Sequence, residues 1–126
     1  MEKPNTLTIA WYESLVPVDP RVVKGQMFGH PCAFVNGNMF FGTFAQSVVI
    51  KVGPERAAAL VTDTVRIFEP MEGRPWKDYV QVPADVLPDA EVAAMARSAL
   101  DHTALLPAKV KKEKAKAQKV AKKAKG

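Results

Sequence analysis

The alternation of apolar and polar positions predicts a sequence of helices and short strands before any single residue is considered for chemistry. In residues 5–15, Leu7, Trp11 and Leu15 recur every four residues, which predicts a short helix with Asn5 or Thr6 as its cap. Pro17 and Pro20 end it. Three runs follow, "CAFV" at 32–35, "MFFGTF" at 39–44 and "SVVIKV" at 47–52, short, aromatic and β-branched as a pleated surface prefers. Asn36-Gly37 joins the first two as a tight hairpin, because both residues tolerate positive φ, and Ala45-Gln46 is a weaker turn for the second hairpin. Gly53-Pro54-Glu55 opens a second helix, with Pro54 at the position where its missing N–H has no partner anyway and Glu55 facing the positive dipole end. Ala57, Leu60 and Val61 form its buried stripe and it ends near Asp63. "VRIF" at 65–68 and "DYVQV" at 78–82 read as two further strands, separated by the irregular "EPMEGRPWK". From Asp89, the residues Val92, Met95, Ala96, Ala99, Leu100 and Thr103 make the clearest amphipathic helix in the chain. The expected fold is α+β and two-layered: a mainly antiparallel sheet of about five strands with helices on one face, in the order α-β-β-β-α-β-β-α.

The hairpin turns imply a register. With Asn36-Gly37 as a two-residue turn, Phe34 pairs with Met39 and Cys32 with Phe41; with Ala45-Gln46 as the next turn, Phe41 pairs with Ile50 and Met39 with Val52. Cys32, Phe34, Met39, Phe41, Val48, Ile50 and Val52 then form the core face. The opposite face carries Ala33, Val35, Phe40, Gly42, Phe44, Val49 and Lys51, which is too apolar for water. At about 25 cal/mol per Å², leaving two phenylalanines and two valines exposed forgoes several kcal/mol of burial. That face is expected to be covered by another protomer or by the terminal segments. Val35, Phe40, Phe44 and Val49 are the candidate dimer face, and Phe40→Asp is expected to leave a monomer.

Charge divides the chain. Its 126 residues suit one domain with a real core. The net charge of +5 conceals nine Lys or Arg against twelve Asp or Glu in residues 1–108, and nine Lys against one Glu in residues 109–126. The two parts therefore carry −3 and +8. Residues 1–107 are expected to form the α+β domain and residues 108–126 a Lys/Ala-rich tail, disordered or marginally helical because like charges three and four apart oppose a helix. Lys109, Lys111, Lys112, Lys114, Lys116, Lys119, Lys122, Lys123 and Lys125 are the candidate nucleic-acid contacts, non-specific for sequence and blind to DNA or RNA. A purely solubilising tail is the competing reading. The N-terminal twenty residues show no basic segment followed by a sustained apolar run, so neither a signal peptide nor a membrane span is expected, and one cysteine suits a reducing cytoplasm.

Candidate chemistry is sparse. His30 and Cys32 stand two residues apart and could form a nucleophile with its base, or part of a metal site. Zinc needs three or four ligands, and the only other His or Cys is His102 on the last helix. Cys32 therefore reads as a small buried hydrophobe and His30 as part of a bend. Arg74, Trp76 and Lys77 place a fork donor, a stacking surface and a point charge together, a possible ligand or phosphate loop. The alternative there is a loop entering a strand, with Trp76 inward and Arg74 paired to Glu72 or Asp78. No Walker loop, dinucleotide glycine fingerprint or HExxH motif occurs. No catalytic residue, metal or cofactor is expected.

Five motifs resemble a family in order and spacing: "MFG" at 27–29, "FVNGNMFFG" at 34–42, "KVGPE" at 51–55, "PMEGRPWKDYVQVP" at 70–83 and "LPAKVKK" at 106–112. Across about residues 10–110 the chain is similar to the TfoX/Sxy N-terminal domain family. The resemblance implies a small α+β domain with an antiparallel sheet, often a dimer. Named members regulate bacterial DNA-uptake competence and carry a second, helical domain, where this chain has the lysine-rich segment. The family's usual "MFGG" is "MFGH" here, with His30 in the second glycine position. The resemblance implies no catalytic residues. The functional expectation is a non-enzymatic, TfoX-like accessory or regulatory protein, a homodimer that associates with nucleic acid through its tail. The alternative is a dimeric protein- or small-ligand-binding module with its site between residues 27–29 and residues 74–79, the tail being incidental.

Overall fold

The computed structural model describes residues 2–107. Three helices and six strands follow one another as α1 (Thr6–Leu15), β1 (Val23–Met27), β2 (His30–Val35), β3 (Asn38–Phe44), β4 (Ser47–Lys51), α2 (Pro54–Leu60), β5 (Arg66–Met71), β6 (Arg74–Pro83) and α3 (Asp89–Thr103). The strands form one sheet in the order β1-β2-β3-β4-β6-β5, every neighbouring pair antiparallel. The helices pack on one face of it, α3 over β3 and β4, α1 beside α3, and α2 over β5 and β6. The architecture is the expected α+β sheet with one strand more, β1. That strand escapes the sequence pattern because "VKGQM" is a nearly fully exposed edge and has no alternation to display.

α3 buries Val92, Met95, Ala96, Ala99, Leu100 and Thr103, the stripe that its periodicity predicts. α1 differs. Its buried residues are Thr8, Tyr12 and Leu15, while Leu7 is 80% exposed. The reason is local: Asn5 caps the helix by accepting from the Thr8 N–H at 2.9 Å, and Gln46 Oε1 accepts from the Thr8 hydroxyl at 2.6 Å. Those bonds turn the helix so that Tyr12, not Trp11, meets the sheet, its ring 5.3 Å from that of Phe41. α2 ends at Leu60 rather than near Asp63, and Val61 is exposed.

The largest correction concerns β3. Phe34 pairs with Met39 and Phe41 with Ile50 as expected, but Cys32 faces Gly42 rather than Phe41. Ala33 takes Phe41, so Phe40 is an extra residue on β3, a bulge opposite the Ala33–Phe34 step. The bulge lets Phe40 and Phe41 both enter the core beneath the helices, with Ala33, Val35, Val48 and Ile50. Cys32, Met39, Val49 and Phe68 are buried on the other face, with Met27, Phe34, Phe44, Trp76 and Tyr79 around them. The four residues expected on one dimer face are therefore divided. Val35 and Phe40 lie in the helix-covered core, and Phe44 and Val49 on the opposite side. Phe40→Asp would place a charge in the core and unfold the chain rather than separate protomers. Gly42 is needed where the bulge draws β2 and β3 together: a Cβ there would stand 2.5 Å from Cys32 Sγ and 3.2 Å from Cys32 Cα.

Candidate functional site

The helix-free face of the sheet is where aromatic side chains converge. Phe68 is fully buried at its centre, with ring centroids at 5.0 Å from Phe44, 5.3 Å from Trp76 and 6.5 Å from Tyr79. Phe28, in the turn between β1 and β2, closes over them at 6.2 Å from Trp76 and 6.4 Å from Phe44. Three to four strand spacings separate that hairpin from β6, roughly 14–19 Å in a flat sheet. The Phe28 and Trp76 rings span that distance by reaching toward each other, and with Phe44 and Phe68 between them they bury much of the face that the alternation pattern left apolar. The cover comes from the chain's own aromatic side chains, a solution that the strand pattern alone did not offer.

His30 and Cys32 belong to this face and are both buried. His30 stacks on Phe44 with centroids 5.0 Å apart and planes 13° from parallel. Its Nδ1 accepts from the Ala45 N–H at 3.4 Å, so the proton sits on Nε2, which has no partner among the described residues. Burial lowers the imidazole's pKa, and the Lys3 ammonium adds to the effect, so the ring is neutral. Burial pushes the Cys32 thiol up to about 11, against the opposing bonds from the Thr43 and Met27 backbone. A thiol of that kind is a poor nucleophile near neutral pH. His102 lies on α3, on the helical side, beside Lys51, Arg56 and Met95. Among the described residues, no group of three or more His, Cys, Asp or Glu is placed to hold a metal ion.

Arg74, Trp76 and Lys77 are strand residues of β6, not a loop. The segment looked irregular because Pro70 and Pro75 flank its two-residue turn, Glu72-Gly73. Both prolines fall next to the pair that closes the hairpin, at positions whose N–H the ladder does not use. Trp76 turns inward to the aromatic cluster, while Arg74 and Lys77 remain exposed. Asp78 pairs with Lys51 at 3.2 Å, and that ammonium stands 4.9 Å from the Tyr79 ring centroid. The Tyr79 hydroxyl donates to the Met39 carbonyl at 2.8 Å, and burial raises its pKa, with Asp78 adding to the rise. A cavity of about 270 Å³ beside Trp76 is lined by Trp76, Lys77, Asp78 and Tyr79, and neither Arg74 nor His30 reaches it.

A second cavity, about 430 Å³, lies between α1, the β3–β4 turn and the start of α3. Its polar groups are engaged within the fold: Trp11 donates to Asp89 at 2.9 Å, and Gln46 bonds to Glu2, Lys3, Asn5 and Thr8. Neither cavity brings a nucleophile, a base and an oxyanion donor together. The face gathers aromatic rings with cations at its fringe.

The family model of the TfoX N-terminal domain matches residues 13–103. The chain belongs to that family. The match runs from within α1 to the last residue of α3 and so spans all six strands and both the aromatic face and the helical core. No curated protein and no solved structure shows a significant match. The TfoX N-terminal domain family is not a known enzyme family, and membership suggests a regulatory or accessory role. No helix among the described residues is long and apolar enough to cross a membrane.

The sequence motifs of this TfoX N-terminal domain now have positions. "MFG" supplies Met27, Phe28 and the two-residue turn, with Phe28 at φ 57° and Gly29 at φ 79°. "NGNMFFG" supplies the second such turn, the bulge and Gly42. "GRPWKDYVQVP" supplies the whole of β6. Phe68 is the residue of the aromatic face that sequence reasoning passed over, while Phe28 and Tyr79 entered it only within residues 27–29 and 74–79. Their signal was an aromatic placed beside a turn glycine in one case and at strand positions in the others. The nine lysines expected to contact nucleic acid lie outside the described residues.

Proposed function

We propose that this TfoX N-terminal domain protein is a non-enzymatic accessory or regulatory factor that associates with nucleic acid through the lysines of residues 109–126, as a homodimer presenting two such segments. One observation carries the reading: the charge of −3 on residues 1–108 against +8 on residues 109–126. A mildly acidic domain gains little from a polyanion overall, and the lysine-rich segment offers the largest source of attraction, through release of condensed counterions. Burial keeps Cys32 protonated and His30 neutral, so neither is poised as a nucleophile with its base. Two segments on one dimer would bind with higher avidity than one, since the second engagement is intramolecular.

A salt titration tests this. If six or more lysines engage phosphates, affinity for a mixed-sequence duplex falls on the order of 10³-fold between roughly 50 and 200 mM salt. Replacing the nine lysines by glutamine abolishes binding while leaving the circular dichroism of the domain intact. Binding that is insensitive to salt, or that survives those substitutions, contradicts the proposal.

A second reading has one observation in its favour. Phe28 and Trp76 meet, so residues 27–29 and 74–79 are neighbours in space, as a ligand- or protein-binding module built from them requires. Failure of both the native and the substituted chain to bind nucleic acid would favour it.

A further inference from the structure

We propose that β1 is the dimer edge: two copies of this chain pair their β1 strands antiparallel about Gly25 and continue the sheet across the axis. The inference rests on the homodimer part of the reading above and is independent of the nucleic-acid part.

The ladder parity decides which groups are available. Met27 and His30 close the two-residue Phe28-Gly29 turn, so that pair exchanges both of its backbone bonds. Gly25 with Cys32 and Val23 with Phe34 are bonded pairs of the same kind, two and four residues on. Gln26 with Pro31 falls between them, as it must, because Pro31 has no N–H. The N–H and C=O groups of Lys24 and Gln26 therefore point away from β2. Among the described residues, no backbone group bonds to them. An open edge of this kind is a template for another strand.

The two edges of the sheet are not equivalent. On β5, Pro70 removes an outward N–H and two register shifts break the line of the strand. β1 has neither proline nor bulge, and it is flanked by exposed apolar side chains, Val23 at 63% and Phe28 at 42%. One edge is blunted and the other is left ready.

The sequence of β1 then selects the partner and the register. Because only the even-numbered residues 24 and 26 face outward, two identical strands can pair symmetrically about Lys24, Gly25 or Gln26. Pairing about Lys24 sets that lysine against its own copy. Pairing about Gln26 sets Lys24 against Phe28, beyond the end of the strand. Pairing about Gly25 sets Lys24 against Gln26 on both sides and forms all four outward bonds with no like charges opposed. It also sets Val23 against Met27 on the aromatic face, giving the exposed valine an apolar neighbour. Phe34 already lies over Gly25, its Cε1 3.2 Å from where a Cβ would stand. The two central glycines, which have no side chains of their own, are thus covered by aromatic rings.

The test is the mass of the full chain by sedimentation equilibrium over a concentration series. Gln26→Pro removes only the outward N–H and leaves the β1–β2 ladder whole; Gln26→Lys places like charges opposite each other. Each is expected to raise the dimer dissociation constant about tenfold or more, with an unchanged circular dichroism spectrum. Adding Lys24→Glu to Gln26→Lys restores opposite charges across the axis and is expected to restore the dimer. If Gln26→Pro misfolds, the charge pair alone carries the test. A native dimer whose constant is unmoved by these substitutions overturns the β1 assignment and leaves the homodimer standing. A native chain that stays at single-chain mass at every concentration overturns both.

Discussion

Two buried polar side chains show how burial acts on a single residue. The Tyr12 hydroxyl is enclosed beneath the helices and has no hydrogen-bond partner among the described residues, and burial raises its pKa so that it stays protonated. Its ring packs on Phe41, so the aromatic area stabilises while the oxygen costs desolvation. Tyr12→Phe is expected to leave stability unchanged or raise it by up to about 1–2 kcal/mol in thermal unfolding; a loss of stability would mean that the hydroxyl is bonded. His30 works through pH. Its folded pKa lies below the unfolded value, so the unfolded chain binds the proton more readily. The neutral ring's contribution is complete above the unfolded pKa of about 6.5 and is lost as pH falls below it toward the folded value. Melting temperature should therefore drop between pH 7.5 and pH 5, and His30→Phe, which keeps the stack on Phe44, should flatten that drop. An equal drop in both proteins would assign it to other groups.

At the scale of elements, legibility followed the strength of each local signal. α3 was readable to the residue because six buried positions repeat with the helical period over about three turns. The Asn36-Gly37 turn was readable because its φ values of 53° and 76° are ones few other residue pairs accept. The faces of β3 were not readable. Met39, Phe40 and Phe41 are all apolar, so the run carries no alternation, and the bulge that turns Phe40 inward leaves no mark in the sequence. One inserted residue exchanges the two faces beyond it. β6 was misread as partly loop because Pro75 suggests irregular structure, whereas an edge hairpin tolerates it at an unbonded position. The bulge makes a direct prediction. Phe40→Ala should cost about 3–5 kcal/mol in denaturant unfolding, as expected of a phenylalanine in the core. A cost below about 1 kcal/mol would place Phe40 at the surface and restore the first assignment of the faces.

At the scale of the molecule, the aromatic face is assembled from distant parts of the sheet. Phe28, Phe44, Phe68, Trp76 and Tyr79 come from β3, β5, β6 and a turn, and no spacing along the chain announces that they meet. Its apolar character was legible, but the convergence of its rings was not. Charge distribution was legible without any structure, since it needs only a count, and it motivates the central claim. That claim is that the folded domain contributes little affinity of its own for nucleic acid and that residues 109–126 contribute nearly all of it. The direct measurement is a fluorescence-anisotropy titration of one labelled duplex and one labelled single strand, comparing the full chain with a chain ending at Pro107 at a single low salt concentration. The account predicts saturable binding by the full chain to both probes and none by the shorter chain, with matching circular dichroism over the domain. Equal binding by the two chains would contradict it and move the interface onto the folded domain.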